Sequence, residues 1–450
     1  MKRWKSAGLL SCLLIGTGFW ASAFAGAGEA ATRSVVEPRY TVAGKTLPGV
    51  AMAEDRPEQK AEGNWMSVQL RWPVVPGAVR YQVVLLRSAA DTKDNIALTR
   101  DWIFTNGVDI SLLSFGDEAR NFYWKVCPLD YDGHPLRPFS APEAIAETGI
   151  ENPETPTPTT EYEKMDYMPV YPVYSWVPTP GAKHHEVEVR RETAAGPVVL
   201  HRLAADEYDV YETAGFTTPG DYSWRVRAVT AVGAPVTDWS EPSRFTVTAP
   251  TPIAALGDSI THGGGVMSIP PGMAIYDWET YSPVPVKNIG FSGNTTAEML
   301  DRFERDVLPF SPRVLVIMGG VNDYRAGTFG STTVANLAAI RDKCNAYGIV
   351  PVFVTPTPIN PHLMVSRAQI ETPPSDWQMH QAYVNRWIMS QPYAIDVASA
   401  LADGQGLLRE DYTTDGLHPD YFGKKYIGER IGAYLMQHFP WIAEERQKKS

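Results

Sequence analysis

The chain has 450 residues, too many for one hydrophobic core, so about two to four domains are expected. Its 44% hydrophobic and 20% charged residues are ordinary for a soluble globular protein. A formal charge of −11, with no Lys/Arg stripe interleaved with aromatics, argues against nucleic acid as a partner.

Residues 1–25 have the form of a secretory signal peptide. Lys2, Arg3 and Lys5 make a basic start, residues 6–20 are mostly apolar, and Ala21-Ser22-Ala23 and Ala23-Phe24-Ala25 offer small-x-small cleavage sites. A membrane anchor is the alternative, but the apolar stretch is short and no stop-transfer charges follow it. Leu9-Leu10-Ser11-Cys12 has the outline of a lipoprotein box, yet the apolar run continues past Cys12, which argues against lipidation. The expected location is therefore secreted, periplasmic or extracellular, with no membrane span. Residues 26–59 show little periodicity and are read as an N-terminal leader, either loose or adding an edge strand.

An internal repeat organises the next two hundred or so residues. Trp72-Pro73-Val74-Val75-Pro76-Gly77-Ala78 recurs as Trp176-Val177-Pro178-Thr179-Pro180-Gly181-Ala182. Phe122-Tyr123-Trp124-Lys125-Val126 recurs as Tyr222-Ser223-Trp224-Arg225-Val226, and Phe139-Ser140-Ala141-Pro142 as Trp239-Ser240-Glu241-Pro242. The offset is about 100 residues, the size of one β-sandwich, and short alternating strands between Pro-Gly turns predict two all-β modules over 60–149 and 166–249. Trp72, Trp124, Trp176 and Trp224 are expected in the cores, with a sugar-stacking platform as the alternative. Between the modules, residues 150–165 read as a Pro/Thr-rich linker.

From residue 250 to 440 the pattern becomes alternating strands and helices. Strands are predicted at 252–256, 284–290, 314–319, 349–354 and 394–397. Helices are predicted after Thr295-Thr296-Ala297-Glu298, which has the capping-box form, along Leu337, Ile340, Cys344 and Tyr347, from Trp377 to Met389, and from Phe422 to Met436. This alternation predicts a parallel sheet covered on both faces, with the active crevice beyond the carboxyl ends of its strands. Residues 441–450 read as a charged, solvated tail. Cys127 and Cys344 fall in different domains, so no disulfide framework is expected, and nine scattered histidines show no zinc-type spacing.

Gly257-Asp258-Ser259-Ile260-Thr261-His262-Gly263 follows the first of these strands and offers Ser259 as a nucleophile. A serine hydroxyl needs a base, and Asp415-Gly416-Leu417-His418-Pro419 supplies His418, with Asp415 to hold its tautomer. Read alone, Asp415 is equally a helix cap. Two blocks can supply oxyanion donors: Asn288 to Asn294, through the amide of Gly293, and Gly319-Gly320-Val321-Asn322-Asp323, through the side chain of Asn322. Both also suit ordinary tight turns. His262 either lines the pocket or competes as base, although it lacks a carboxylate partner in sequence. Asp258 and Asp323 are expected to brace their loops.

These four blocks, in this order, resemble the SGNH (GDSL-type) hydrolase family, with Ile260 where the family name has Leu. The β modules are similar to fibronectin type III domains. The resemblance implies two all-β sandwiches followed by an α/β flavodoxin-like three-layer hydrolase domain. It also implies a Ser259–His418–Asp415 triad, an oxyanion hole from Ser259, Gly293 and Asn322, and no metal or cofactor. Loops 263–283, with Tyr276, Trp278 and Tyr281, and 356–375 are expected to border the crevice, and Tyr276, Trp278 and His262 are read as substrate-binding. This mix favours an acetylated glycan over a long acyl chain, with glycan or cell-surface contact through the β modules. A general short-chain esterase or lysophospholipase, and an inactive adhesion or scaffold protein, are the alternatives.

Overall fold

The computed structural model describes residues 39–42, 45–48 and 67–442, except 74, 76, 77, 79, 104, 105, 131, 132, 146–154, 180, 181, 207 and 266–269. The expected signal peptide, most of the expected leader and the residues beyond 442 lie outside the described residues. Within the leader, Arg39–Val42 and Lys45–Pro48 pair as a short antiparallel hairpin.

The repeat in the sequence is a repeat of topology. In the first module, Ser67–Arg71 pairs with Gly107–Ser111, and a second sheet has the order Ile96–Ile103, Arg80–Leu86, Tyr123–Leu129, Glu143–Ala144. In the second, Val173–Val177 pairs with Asp209–Tyr211, and the larger sheet runs Val198–Ala205, His184–Arg191, Gly220–Val229, Ser243–Val247. The correspondence extends to single bonds. The bridge Leu129 to Pro135 reappears as Val229 to Pro235, and the Ser140 hydroxyl accepts from the Val126 amide as Ser240 does from Val226. Trp72, Trp124, Trp176 and Trp224 are all buried, so they are core and not an exposed sugar platform.

The expected linker ends earlier than predicted. Thr157–Pro158 is an edge strand on Trp176 and Val177, and Thr159, Thr160 and Glu161 are buried. Hydroxyls explain this in a stretch with little to bury. Thr160 Oγ1 donates to the Val173 carbonyl and accepts from the Ser175 amide, while Thr159 and Ser175 hydroxyls meet at 3.0 Å. An edge position tolerates Pro158, whose missing N–H costs the sheet nothing there.

The C-terminal domain has five parallel strands: β1 Ile253–Gly257, β2 Lys287–Gly290, β3 Val314–Met318, β4 Val350–Val354 and β5 Ala394–Ile395. Their order is β2-β1-β3-β4-β5. The helices are α1 Ser259–His262, α2 Thr296–Asp301, α3 Phe303–Val307, α4 Val321–Arg325, α5 Gly330–Ala346, α6 Pro361–Ala368, α7 Trp377–Met389, α8 Ala398–Leu401 and α9 Tyr421–His438. The period-two alternation of a strand splits the core. Ala254, Leu256, Leu315, Ile317 and Phe353 pack with Phe303, Leu337, Ile340 and Val384, while Ile253, Ala255, Val314, Val316 and Val352 pack with Ile427, Ile431 and Leu435. The result is a three-layer sandwich. One predicted loop is corrected: 356–375 contains α6, because Pro361 sits at its first turn and Asn360 caps it by accepting from the Leu363 amide.

The second module is fastened to this domain. One apolar cluster runs from Trp176 and Trp224 through Tyr171 to Ile289, Phe303 and Phe310. The Val170 amide donates to the Asn288 carbonyl at 3.0 Å, and the Glu161 amide to the Gly272 carbonyl at 2.8 Å.

Candidate active site

Strand order reverses between β1 and β3, and the crevice of such a sheet lies beyond the carboxyl ends at that point. Ser259 stands there, at the first position of α1. Gly257 lets the chain turn: a Cβ would lie 2.2 Å from Thr261 Oγ1 and 2.6 Å from the Met318 carbonyl. Asp258 caps α1 by accepting from the Ile260 amide at 3.0 Å. Burial pushes the Asp258 carboxyl up to about 6.

His418 arrives from the loop before α9. Its Nε2 lies 3.1 Å from Ser259 Oγ, and its Nδ1 lies 2.7 Å from Asp415 Oδ2. The other Asp415 oxygen accepts the amides of Leu417 and His418, each at 2.8 Å. Burial raises the Asp415 carboxyl, but His418 and these hydrogen bonds outweigh it and hold the group below the usual carboxylate range. An ionised Asp415 accepts a hydrogen bond from Nδ1–H, which leaves the Nε2 lone pair facing the serine hydroxyl.

The other two blocks flank this pair. Gly293 adopts φ +84, a conformation open to glycine, in the turn closed by the Asn294 amide on the Phe291 carbonyl. Asn322, in the first turn of α4, donates Nδ2–H to the Asn294 carbonyl at 2.9 Å and accepts from Arg325 at 3.4 Å. The bond to Asn294 needs one of the two N–H groups that an Asn side chain carries. Asp323 ties α4 to α2, accepting from the Thr296 amide at 2.9 Å and hydroxyl at 2.5 Å. Thr295 and Glu298 form the predicted capping box.

The structure thus brings Ser259, His418 and Asp415 into one hydrogen-bonded row and joins Asn322 to the loop of Gly293. It does not place Tyr276, Trp278 or His262 on a substrate surface. Tyr276 and Trp278 are fully buried, and Trp278 lies in the core beside α9. These aromatics serve packing because their loop folds into two 3-10 turns, Ala274–Tyr276 and Trp278–Tyr281. His262 is also buried, with Nε2 at 2.5 Å from the Tyr171 carbonyl and Nδ1 accepting from the Ser292 amide at 3.1 Å. Burial pushes its ring down to about 4, so it is neutral at physiological pH, with the proton on Nε2.

Two contributors went unnoticed in the sequence. Lys424 is buried on α9 and donates to the Ile260 carbonyl at 2.8 Å, pinning the turn after Ser259. Its place in the stripe Lys424, Ile427, Ile431, Leu435 was a readable signal, a lone charge at a core position. Arg302, also buried, donates to the Gly257 carbonyl at 2.9 Å and to Asn294 Oδ1 at 2.6 Å. Among the described residues no cluster of His, Cys, Asp or Glu could hold a metal ion, and no helix is long and apolar enough to cross a membrane.

Residues 255–425 match the model of the GDSL-like Lipase/Acylhydrolase family. The C-terminal domain is therefore a GDSL-like (SGNH) acylhydrolase domain, of a family that acts on esters. An 80-residue stretch is 35% identical to the uncharacterized lipoprotein YqeF of Bacillus subtilis (strain 168), covering 16% of this chain and 33% of that protein. The match thus spans about a third of that relative's length. Among solved structures, a lipase/acylhydrolase from Enterococcus faecalis is 23% identical, with 41% of this chain and 95% of that chain covered and a TM-score of 0.34. A catalytic mutant of an acetylxylan esterase from Geobacillus stearothermophilus is 18% identical, with 42% and 95% covered and a TM-score of 0.32.

Proposed function

We propose that the C-terminal domain hydrolyses carboxylic esters through an acyl-enzyme on Ser259. The observation that carries this reading is the row Ser259 Oγ to His418 Nε2 at 3.1 Å and His418 Nδ1 to Asp415 Oδ2 at 2.7 Å. Ser259 Oγ attacks the acyl carbon as His418 takes its proton, and Asp415 stabilises the imidazolium. The amides of Ser259 and Gly293 and the Asn322 side chain receive the developing oxyanion. His418 returns its proton to the departing alcohol. Water, deprotonated by His418, then releases the acid and restores Ser259.

The substrate we infer is an acetylated glycan outside the cytoplasm. This reading is supported by the organisation of the chain: a signal-like start and two β modules, read as fibronectin type III-like, ahead of the hydrolase domain. The aromatic residues Tyr276 and Trp278 no longer support it, being buried.

The test compares purified wild type with Ser259→Ala. Wild type is expected to hydrolyse aryl acetate faster than aryl butyrate or longer esters and to release acetate from acetylated xylan or pectin. The variant is expected to do neither. Equal activity in both proteins removes Ser259 from the mechanism. Strong preference for long acyl chains, without release from glycans, replaces the acetylated-glycan reading with a lysophospholipase-type one.

A further inference from the structure

Tyr171 belongs to the second β module, yet it reaches the proposed oxyanion loop by three routes. Its carbonyl accepts from His262 Nε2 at 2.5 Å, and His262 Nδ1 accepts from the Ser292 amide at 3.1 Å and lies 2.8 Å from the Ser292 hydroxyl. Its phenol donates to Asp306 Oδ2 at 2.7 Å. Asp306 pairs with Arg302 at 3.1 Å, and Arg302 holds Asn294 Oδ1 and the Gly257 carbonyl. Its ring meets Phe291 edge-on, with centroids 4.6 Å apart. The three routes end on residues 291, 292 and 294, around Gly293.

We propose that Tyr171 is a positioning residue for ester hydrolysis, so that the second β module is an integral part of the active site. The inference rests on Gly293 and Asn322 acting as oxyanion donors. Gly293 has no side chain of its own to fix its N–H, so the orientation of that amide depends on what holds its neighbours. Burial, and then Asp306, push the Tyr171 phenol up to about 12, so it stays protonated and remains a donor to Asp306. His262 is locked in one tautomer by donor and acceptor on opposite sides, and Tyr211 of the same module closes its cage with ring centroids 6.0 Å apart. An oxyanion donor works only when it is oriented before the charge develops, and this network supplies that order from outside the hydrolase domain.

The test uses the full chain with Tyr171→Ala, Tyr171→Phe and Asn322→Ala, singly and with each Tyr171 variant joined to Asn322→Ala. Aryl acetate hydrolysis is measured well below each protein's unfolding temperature. Tyr171→Ala is expected to lower kcat by about 100-fold with KM within about twofold, the scale of a misplaced catalytic group. Both variants keep the backbone carbonyl; Tyr171→Ala loses ring and phenol, whereas Tyr171→Phe loses only the phenol and is expected to fall about fivefold. In the Asn322→Ala background both losses shrink, since Asn322 hangs on the same loop through the Asn294 carbonyl. A kcat within twofold of wild type in a folded Tyr171→Ala, or losses fully additive with Asn322→Ala, overturns the proposal. If Tyr171→Ala does not fold, Tyr171→Phe decides alone, and an unchanged kcat overturns it. The oxyanion reading fails separately, by an unchanged kcat in Asn322→Ala itself.

Discussion

Replacing Asp415 by Asn changes one atom and is expected to abolish the base. Asp415 Oδ1 accepts two backbone amides, from Leu417 and His418, each at 2.8 Å. In the variant these donors still require an acceptor, so the carbonyl oxygen of the new amide must face them and its NH2 must face His418 Nδ1. The opposite flip sets an NH2 against two N–H groups and leaves both unpaired in a buried site, at a cost of about 1–3 kcal/mol for each. An NH2 facing Nδ1 forces that nitrogen to accept, which moves the ring proton to Nε2, 3.1 Å from Ser259 Oγ. The lone pair that should receive the serine proton is then occupied. In serine triads this change costs about 10⁴-fold in kcat, or about 5 kcal/mol at the transition state. The assay is aryl acetate hydrolysis at neutral pH, with thermal unfolding measured beside it. The unfolding midpoint is expected to stay within a few degrees, because both backbone bonds survive. A loss below about tenfold would refute the tautomer argument and the triad with it.

Three further outcomes are expected. Asn322→Ala removes one oxyanion donor and should lower kcat by about 100- to 1000-fold with little change in KM, as read from steady-state kinetics; an unchanged kcat excludes that role. Gly290→Ala places a Cβ 2.2 Å from the His262 amide nitrogen, so α1 must move. It should cost about 1–3 kcal/mol in denaturant unfolding, and wild-type stability would contradict the close approach. Asp209 in the second module is pushed up to about 8, by burial first and Asp206 second. Its folded form keeps a proton that the unfolded chain has released, so it makes stability fall as pH rises from about 4 to 8. Asp209→Asn should remove that slope, and urea unfolding across the same range gives the check: parallel curves for the two proteins would sink the assignment.

Much of the hydrolase domain was legible because its signals are local. The five strands are apolar runs ended by glycine or polar residues, and the observed starts differ most at β2, where 284–286 precede the sheet. The helix Trp377–Met389 was read to the residue, since Asp376 and Met389 bound a clear apolar period. The repeat was visible because each module needs the same tryptophans in the same places. Apart from α6, whose cap Asn360 and first-turn Pro361 lay in an expected loop, and the start of β2, the misreadings were questions of what a side chain faces. A run of Thr and Pro at 157–160 reads as linker until Ser175 and Val173 are beside it, and Tyr276 and Trp278 read as substrate-binding until both are found buried, Trp278 in the core beside α9.

By itself the sequence determined which groups carry the proposed chemistry, because a nucleophile, a base, its carboxylate and a donor amide must each be a particular residue type. Burial, partnership and tautomer were decided by the tertiary structure alone. His262 at the end of α1 and His418 in the loop before α9 are both imidazoles near Ser259, and nothing in composition separates a relay from a base. Their neighbours do: both rings meet a serine hydroxyl, but the other nitrogen of His262 faces a backbone carbonyl, whereas that of His418 faces a carboxylate. Tyr171 lies 88 positions before Ser259, and only the docking of the second module onto β2 brings it behind the site.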